Sequence, residues 1–402
     1  MDFSLPPDIA DLCARVRNFI EREIVPLEQD RANYDQYDNI RIELCDAMRE
    51  RARQAGLYAP QMRRERGGLG LPITGWAAFY EEANRSIFGP VCLNCQAPDD
   101  GNMTLLDKVL PTDALKDRWL QPIIDGKVRS SFVMTEPSPG SGSDPGGMML
   151  TRAERRNDRY VITGRKWFIS GAAVASHFIL IARTSDDPRR GLSAFLFHRD
   201  DPGWRIVRRI ANMGPEEHGG VCELQFDGLE IPDEHRLMEE GDGLRITQIR
   251  LGPARLTHCM RWLGLAKRCL EIAAANVRER RAFGMRLAEH ESVQMMLGEA
   301  AKNIQIGRLL TMHAAWCLDA GSHAQKEVSM AKLHMADTLH QAADVALQLL
   351  GARGYSKDTP VEWIYRYARA AKLVDGASEV HRMLLFRAYD KLGDGFWRWG
   401  EQ

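Results

Sequence analysis

An acidic residue followed by glycine, Asp375-Gly376, lies between an apolar stretch and the last helical pattern of the sequence. A carboxylate can act as a general base, and a backbone N–H at the start of a helix can stabilise a developing oxyanion. The pair therefore offers the two protein groups needed to remove a proton next to a carbonyl. The aspartate could also serve simply as the N-cap of the following helix. Taken alone, the pattern favours the cap.

Three other segments combine glycines with polar residues. The loop 135–147, TEPSPGSGSDPGG, has backbone N–H and hydroxyl groups that could wrap an anion, although its composition alone favours a mobile loop. Arg280 lies before Gly284 at the end of a helical pattern, which suits helix capping without any function. The glycines of 348–354, QLLGARG, end a helix and allow close approach to the backbone. Each segment alone is a weak signal.

Composition limits the possible classes of function. The 402 residues carry a net charge of −1, which argues against a nucleic-acid or membrane surface. The eight cysteines are scattered, so we expect free thiols, a reducing compartment and a cytoplasmic location. The one CxxC pair, Cys92 and Cys95, has no second pair of ligands at similar spacing, and no metal site is predicted.

The hydrophobic period changes twice along the chain. Residues 1–128 have a helical period, residues 129–240 alternate as strands of a small antiparallel β domain, and residues 241–402 return to a helical period. Four segments of the last part predict an antiparallel four-helix bundle: 242–279, 286–320, 323–351 and 361–391. The predicted fold class is α+β, with an N-terminal helical domain, a central β domain and a C-terminal bundle.

The order of the motifs is more informative than any one of them. A TEP…GSD loop, the strand 164–170 (GRKWFIS), RxxFG at 280–284, QxxGxxG at 348–354 and the Asp375-Gly376 pair follow one another. This series resembles the acyl-CoA dehydrogenase family over nearly the whole chain. Residues 95–103 and 250–255, with Asp375-Gly376, are similar to the subgroup of family members ten and eleven.

The resemblance implies the same three-domain fold and an extended FAD whose site a neighbouring subunit completes. It places flavin contacts on the β domain at Phe132, Met134, Thr135, Phe168 and Ser170, with Ser143 near the pyrophosphate and the CoA chain. It places the remaining FAD contacts in the bundle, at Arg280, Gln348, Gly351, Ala377 and Glu379. Substrate contacts are expected from Ser143, Arg255 and Gly376.

The resemblance also implies the reaction. Asp375 would remove the α-proton of an acyl-CoA thioester while the flavin takes the β-hydride, which gives the trans-2-enoyl-CoA. Most relatives have Glu here, and Asp is shorter by about 1.5 Å of reach. Some relatives have their base just before the Arg of the first bundle helix, where this chain has Ala254. The expected partners are an electron-transfer flavoprotein and further copies of the chain, as a homodimer or homotetramer, in fatty acid metabolism.

Two other functions are compatible with the same residues. A nitroalkane-oxidase-like flavoenzyme is one, because that branch of the superfamily uses Asp as its base. A flavin-bearing relative that associates with DNA and turns over no acyl-CoA is the other. The near-zero net charge and the retained carboxylate disfavour it.

Overall fold

The computed structural model describes residues 3–142 and 144–398. The chain divides into two compact units. The first comprises Met1–Gln61, Leu69–Cys95 and Ala254–Gln402, and the second comprises Met62–Gly68 and Gln96–Pro253. The domain boundaries after residues 128 and 240 stay predictions.

The first part of the chain is helical, as its period predicts. Ile9, Leu12, Val16 and Ile20, which share one predicted helical stripe, are all buried. Helices α1 and α3 pack against each other within the first unit. The helices are α1 (Pro7–Phe19), α2 (Ile42–Gln54), α3 (Ile73–Ala83), α4 (Gly89–Cys92), α5 (Asp99–Val109), α6 (Asp113–Trp119) and α7 (Gln121–Ile124).

The second unit is built on an eight-stranded sheet in the order β6-β7-β3-β2-β4-β5-β8, with β1 paired to β4. Most strand pairs are antiparallel, as predicted, but β1 runs parallel to β4. The short helix α8 (Pro145–Met148) follows β1. The strands are β1 (Arg129–Val133), β2 (Arg152–Arg156), β3 (Arg159–Ser170), β4 (Ala175–Arg183), β5 (Leu192–His198), β6 (Trp204–Arg209), β7 (Val221–Pro232) and β8 (Arg236–Leu237).

Aromatic side chains form the centre of the sheet's core. Phe178 and Phe197 stack with ring centroids 4.6 Å apart, and Trp204 meets both rings edge-on. Phe226 meets Phe197 edge-on from β7. Such pairs contribute beyond the apolar area that they bury.

The last part of the chain is helical again, and α11 packs along α10, α13 and α14. The elements are α9 (Gly243–Glu279), the hairpin β9 (Arg281–Ala282) and β10 (Met285–Arg286), α10 (Glu291–Asp319), α11 (Gln325–Leu350), α12 (Ala352–Tyr355), α13 (Val361–Ala370) and α14 (Ser378–Leu392). The predicted helical segment 361–391 is divided into two helices, α13 and α14, because residues 371–377 interrupt it. Over the described residues, no helix is long and apolar enough to cross a membrane.

The aromatic core gives a stability prediction. Phe197→Ala removes a fully buried ring, so we expect it to lower the free energy of unfolding by about 3–5 kcal/mol. The matched control is Phe168→Ala on the same sheet, because the Phe168 side chain is 49% exposed. That change should alter stability by less than about 0.5 kcal/mol. Denaturant unfolding of both variants checks this, and equal losses would contradict the assignment of the core.

Candidate active site

The backbone at Asp375 explains why the last helical segment breaks. Asp375 has φ 49° and Gly376 has φ 100°, so two successive residues adopt the left-handed region. A side chain at Gly376 would be strained there and would come within 3.1 Å of His381 Nε2. Helix α14 then begins at Ser378 with Ala377 as its N-cap, so the alternative of Asp375 as a simple cap is wrong.

Two cations hold the backbone carbonyls of this turn. Arg255 Nε, on α9, donates to the carbonyl of Asp375 at 3.0 Å. Lys332 Nζ, on α11, donates to the carbonyl of Gly376 at 2.5 Å. The Lys332 side chain is fully buried, and burial lowers its pKa, against the raising effect of Cys259 and Asp375. An otherwise unfavourable backbone conformation is thereby fixed from two different helices.

A histidine of α9 contacts the Asp375 carboxylate. His258 Nε2, on α9, lies 3.1 Å from Asp375 Oδ2. The Asp375 side chain keeps 19% of its surface exposed, whereas the His258 side chain keeps 9%. The carboxylate is therefore anchored and still accessible, which suits a general base.

A second histidine lies beneath the turn. His381, on α14, is fully buried, and its Nδ1 lies 3.3 Å from the hydroxyl of Ser329 on α11. Burial lowers the pKa of His381 to about 4, and the positive charges of Lys332 and Arg255 act in the same direction. The ring is thus neutral at physiological pH, and it packs below Gly376 as an uncharged group.

In the second unit, a buried ion pair holds the segment that follows β1. Lys166 Nζ lies 2.9 Å from Glu136 Oε1 and also donates to the carbonyl of Met134 at 2.8 Å. Glu136 accepts further hydrogen bonds from the N–H groups of Leu150 and Thr151. Burial alone would raise the pKa of Glu136, but the Lys166 charge and these hydrogen bonds lower it below its usual value.

Thr135 lies between these anchored residues and is tied to β3 in both directions. Its hydroxyl donates to the carbonyl of Trp167 at 2.6 Å, and the N–H of Trp167 donates to its carbonyl at 3.0 Å. Because this bond uses the hydroxyl proton, Thr135 can offer a ligand its oxygen lone pairs or its own N–H, but not that proton.

Phe168 follows at an irregularity in the β3–β7 pairing between Lys166 and Ile169. Its φ of 51° is unusual for a bulky residue, and its ring is half exposed next to the half-buried Trp167. Ser170 ends the strand, half buried, and its carbonyl accepts a hydrogen bond from Ser131 at 2.8 Å. An exposed aromatic face near hydroxyl and backbone polar groups fits a planar heterocycle with polar edges, as in a flavin.

Phe132 and Met134 are both half buried. The guanidinium of Arg250 lies 5.0 Å from the Phe132 ring, and the Thr247 hydroxyl lies 3.9 Å from the Met134 sulfur. Buried Arg250 also approaches Asn102 Oδ1 at 3.4 Å. These contacts support the segment that contains Phe132 and Met134, so Arg250 has a structural role in the sheet unit.

The other predicted cofactor contacts of the first unit lie on its surface. Arg280, Gln348 and Gly351 are exposed, and Asn276 links their segments. Its carbonyl accepts from the N–H of Arg280 at 2.8 Å, and its side-chain amide donates to the carbonyl of Leu349 at 3.1 Å. A side chain built at Gly351 would meet nothing within 4 Å, so the backbone there is open to a ligand.

The remaining predicted contacts lie around α14, with one exception. Ala377 is half buried, and Glu379 is exposed with its carboxylate 3.5 Å from Arg382. Ser143 lies outside the described residues. The structure thus brings Asp375, Gly376 and Arg255 together in the first unit, and Met134, Thr135 and Phe168 together in the second.

Sequence analysis missed His258, Lys332 and Arg261. Arg255, His258 and Arg261 follow one another at three-residue spacing in a helical pattern, so they share a face of α9. Two arginines and a histidine on one face of α9 are a signal that could have found His258 and Arg261. No comparable pattern marks Lys332.

Comparison with known sequences identifies the family. Three family descriptions match in order: the N-terminal domain of acyl-CoA dehydrogenases over residues 6–127, the middle domain over 131–229 and the C-terminal domain over 241–389. The chain belongs to the acyl-CoA dehydrogenase family, and it is an oxidoreductase of this flavoprotein family. The predicted family, fold class and enzyme class are confirmed.

Two curated relatives have different lengths. The chain is 36% identical to the probable acyl-CoA dehydrogenase FadE2 of Mycobacterium tuberculosis, over 96% of this chain and 97% of FadE2. It is 32% identical to acyl-CoA dehydrogenase family member 11 of Gallus gallus, over 94% of this chain but 50% of that protein. The chain therefore spans about half the length of the family member 11 proteins.

Solved structures share the fold. A Mycobacterium abscessus structure that is assigned to the acyl-CoA dehydrogenases is 34% identical, with a TM-score of 0.89 over 97% of this chain and 99% of that one. The glutaryl-coenzyme A dehydrogenase–glutaryl-CoA complex is 30% identical, with a TM-score of 0.82 over 98% of this chain and 97% of that one.

The ion pair behind Thr135 gives a prediction about stability and pH. Lys166→Met leaves Glu136 buried and unpaired, so we expect a loss of about 3–5 kcal/mol of unfolding free energy at neutral pH. Because folding lowers the pKa of Glu136, its contribution is complete above the usual value and is lost as pH falls through the lowered one. The difference between wild type and variant should therefore narrow in acid.

Denaturant unfolding at neutral and acidic pH measures both effects. The control is Lys127→Met, since the exposed Lys127 pairs with Asp125 near the surface and should contribute less than about 1 kcal/mol. A Lys166→Met variant as stable as this control would show that the buried pair does not hold the segment.

Proposed function

We propose that this protein is an FAD-dependent dehydrogenase that removes the α and β hydrogens of an acyl-CoA thioester and forms the trans-2-enoyl-CoA. Asp375 is its general base. The observation that carries the proposal is the accessible carboxylate of Asp375, held on a left-handed turn by Arg255, His258 and Lys332. Family membership supports the reaction class, and the site residues rest on the chemistry of the side chains.

Two sets of residues would hold FAD. In the sheet unit, Phe132, Met134, Thr135, Phe168 and Ser170 supply an aromatic face and polar groups that suit the isoalloxazine ring, with Ser143 near the pyrophosphate. The helical unit supplies the exposed cation of Arg280, the amide of Gln348, the open backbone at Gly351, and Ala377 and Glu379. When bound, FAD supplies the acceptor for the β-hydrogen as hydride.

Asp375 takes the α-proton of the thioester. As that C–H bond breaks, negative charge moves to the thioester oxygen, and the N–H of Asp375 is the proposed protein donor to it. Arg255, Gly376 and Ser143 are the proposed substrate contacts. Asp has about 1.5 Å less reach than Glu. The hydrogen bonds from Arg255 and Lys332 to the two carbonyls fix the position of the turn. This matters for the rate, because misplacement of the base by about 1 Å can cost about 100-fold.

The proposal also covers the electron acceptor, the oligomeric state and the cellular location. An electron-transfer flavoprotein is the proposed electron acceptor, and the proposed assembly is a homodimer or homotetramer that works in fatty acid metabolism. All eight cysteines are buried free thiols, which suits the reducing cytoplasm.

One other function has a specific observation in its favour. A nitroalkane oxidase also abstracts a proton next to an electron-withdrawing group with an Asp base, and this chain has Asp375 where most family members have Glu. Anaerobic incubation of the holoenzyme with a panel of acyl-CoA thioesters and with nitroethane separates the two. We expect bleaching of the flavin absorbance with an acyl-CoA and none with nitroethane.

The central prediction concerns Asp375→Asn. An amide cannot accept the α-proton, so we expect this variant to retain FAD and to lose at least about 100-fold in the rate of anaerobic flavin reduction by acyl-CoA. Stopped-flow absorbance measures the rate, and the ratio of flavin to protein measures retention. Asp390→Asn, an exposed change on α14, is the control and should reduce normally. Normal reduction by Asp375→Asn would move the base elsewhere.

A second prediction concerns Arg280, which we propose reaches the pyrophosphate of the FAD bound by the neighbouring subunit. Arg280→Ala removes an exposed cation next to the β9–β10 hairpin, so we expect lower flavin content and a weaker oligomer together. Gel filtration with absorbance at flavin and protein wavelengths measures both. Arg278→Ala removes another exposed cation from the last turn of α9 and controls for the helix dipole. Unchanged flavin content in Arg280→Ala would contradict the assignment.

A further inference from the structure

The hydrogen bonds of His258 identify which ring nitrogen carries its proton. The Arg261 guanidinium lies 3.2 Å from His258 Nδ1. A guanidinium only donates hydrogen bonds, so Nδ1 must accept, and in the neutral ring the proton is then on Nε2. A doubly protonated ring would place an N–H against the Arg261 charge. In the neutral imidazole the N–H is therefore on Nε2, where it is directed at Asp375 Oδ2, 3.1 Å away.

The surroundings leave the His258 ring little freedom. It stacks on the buried Trp262 ring with centroids 5.2 Å apart and planes at 21°. Arg261 is itself buried, and its other terminal nitrogen donates to the carbonyl of Cys95 at 3.2 Å. A chain of contacts thus runs from the Cys95 carbonyl through Arg261 and His258 to Asp375. The proposed function uses His258 only as a support for the turn and assigns no role to Arg261.

We propose that His258 is a positioning residue that gives the two oxygens of Asp375 different roles. Its Nε2–H holds Oδ2 and stabilises the carboxylate, and Oδ1 is the oxygen that takes the α-proton of the acyl thioester. Arg261 acts one contact further away, because it fixes the tautomer that makes His258 a donor. This inference rests on the proposed function, since it assumes that Asp375 is the base.

The proton transfer that follows is specific. The α C–H bond breaks, an O–H bond forms at Oδ1, and the electron pair of the broken bond stays with the thioester. Oδ2 keeps its hydrogen bond from His258 throughout, so the carboxyl does not need to rotate between proton uptake and release. A short Asp side chain gains most from this arrangement, because its reach leaves little tolerance for the wrong rotamer.

Two variants of similar length test the donor. Gln places an amide N–H about where Nε2 lies, whereas Met fills the space and donates nothing. We expect His258→Met to lower kcat for anaerobic flavin reduction by acyl-CoA by about 10- to 100-fold with little change in KM, because the carboxylate loses its fixed orientation towards the α-proton. His258→Gln should recover most of the loss. Equal rates in the two variants would overturn the role of the N–H.

The pH profile separates positioning from packing. Donation to the carboxylate favours its ionised form, so in His258→Met the acid side of the kcat/KM profile should move to higher pH, and in His258→Gln it should stay near wild type. The charged and titratable groups that surround Asp375 are unchanged in both variants: Arg255, Cys259 and Arg261 on α9, Lys332 on α11, and Glu379 and His381 on α14. An unmoved acid side in His258→Met would contradict the proposal.

A third measurement needs no turnover. In the holoenzyme with 15N-labelled histidine, the His258 signal, assigned by its loss in His258→Gln, should show a protonated Nε2 and a bare Nδ1. In Arg261→Met that preference should weaken. A protonated Nδ1 in the wild type would overturn the inference.

Different results contradict the assignment of Asp375 as the base and the positioning role of His258. If Asp375→Asn reduces flavin normally, the base assignment fails whatever His258 does. If Asp375→Asn is inactive while His258→Met matches wild type in rate and pH profile, the base stands and the positioning role is wrong.

Discussion

The geometry of the active site depends on one backbone constraint. Asp375 and Gly376 adopt left-handed conformations one after the other, and Arg255 and Lys332 donate to their two carbonyls from separate helices. Without these donors, two buried or half-buried carbonyls would lose their partners in a conformation that most side chains avoid. Arg255 and Lys332 therefore place the turn that carries the carboxylate, and His258 contacts the carboxylate itself.

In the sheet unit, irregular backbone is held around a buried negative charge rather than by positive charges alone. There the buried Glu136 carboxylate accepts hydrogen bonds from Lys166 and from three backbone N–H groups, and Lys166 also donates to the Met134 carbonyl. Thr135 lies between these anchors, so its position follows from interactions on either side of it. In both units a buried charge holds irregular backbone in place, and the residue proposed for function lies next to that charge.

Sequence reasoning reached the fold and the family because their signals are local. The change of period at the β domain and the order of the glycine-containing motifs are visible along the chain, and Asp375 could be named from chemistry and resemblance. Asp375 was recognised as a possible start of the last helix, but the left-handed conformation of Asp375 and Gly376 was not predicted, because donors on α9 and α11 hold it.

The residues that support Asp375 could not be predicted, because their contacts join distant parts of the sequence. His258 and Lys332 act on residues that are far away in sequence. The face that His258 shares with Arg255 and Arg261 does not reveal its partner, and no pattern marks Lys332. The use of the Thr135 hydroxyl by Trp167 likewise depends on strand geometry that composition does not encode. Arg255 was predicted as a substrate contact, and its bond to the Asp375 carbonyl gives it a structural role that no motif indicates.

A crystal structure of the FAD holoenzyme with a bound, non-oxidisable acyl-CoA thioether analogue tests the central claim most directly. The account predicts Asp375 Oδ1 at about 3–3.5 Å from the carbon that corresponds to the α-carbon, with Oδ2 still on His258 Nε2. A complex in which the Asp375 carboxylate lies well beyond that distance, with another carboxylate or imidazole next to the α-carbon, would contradict it.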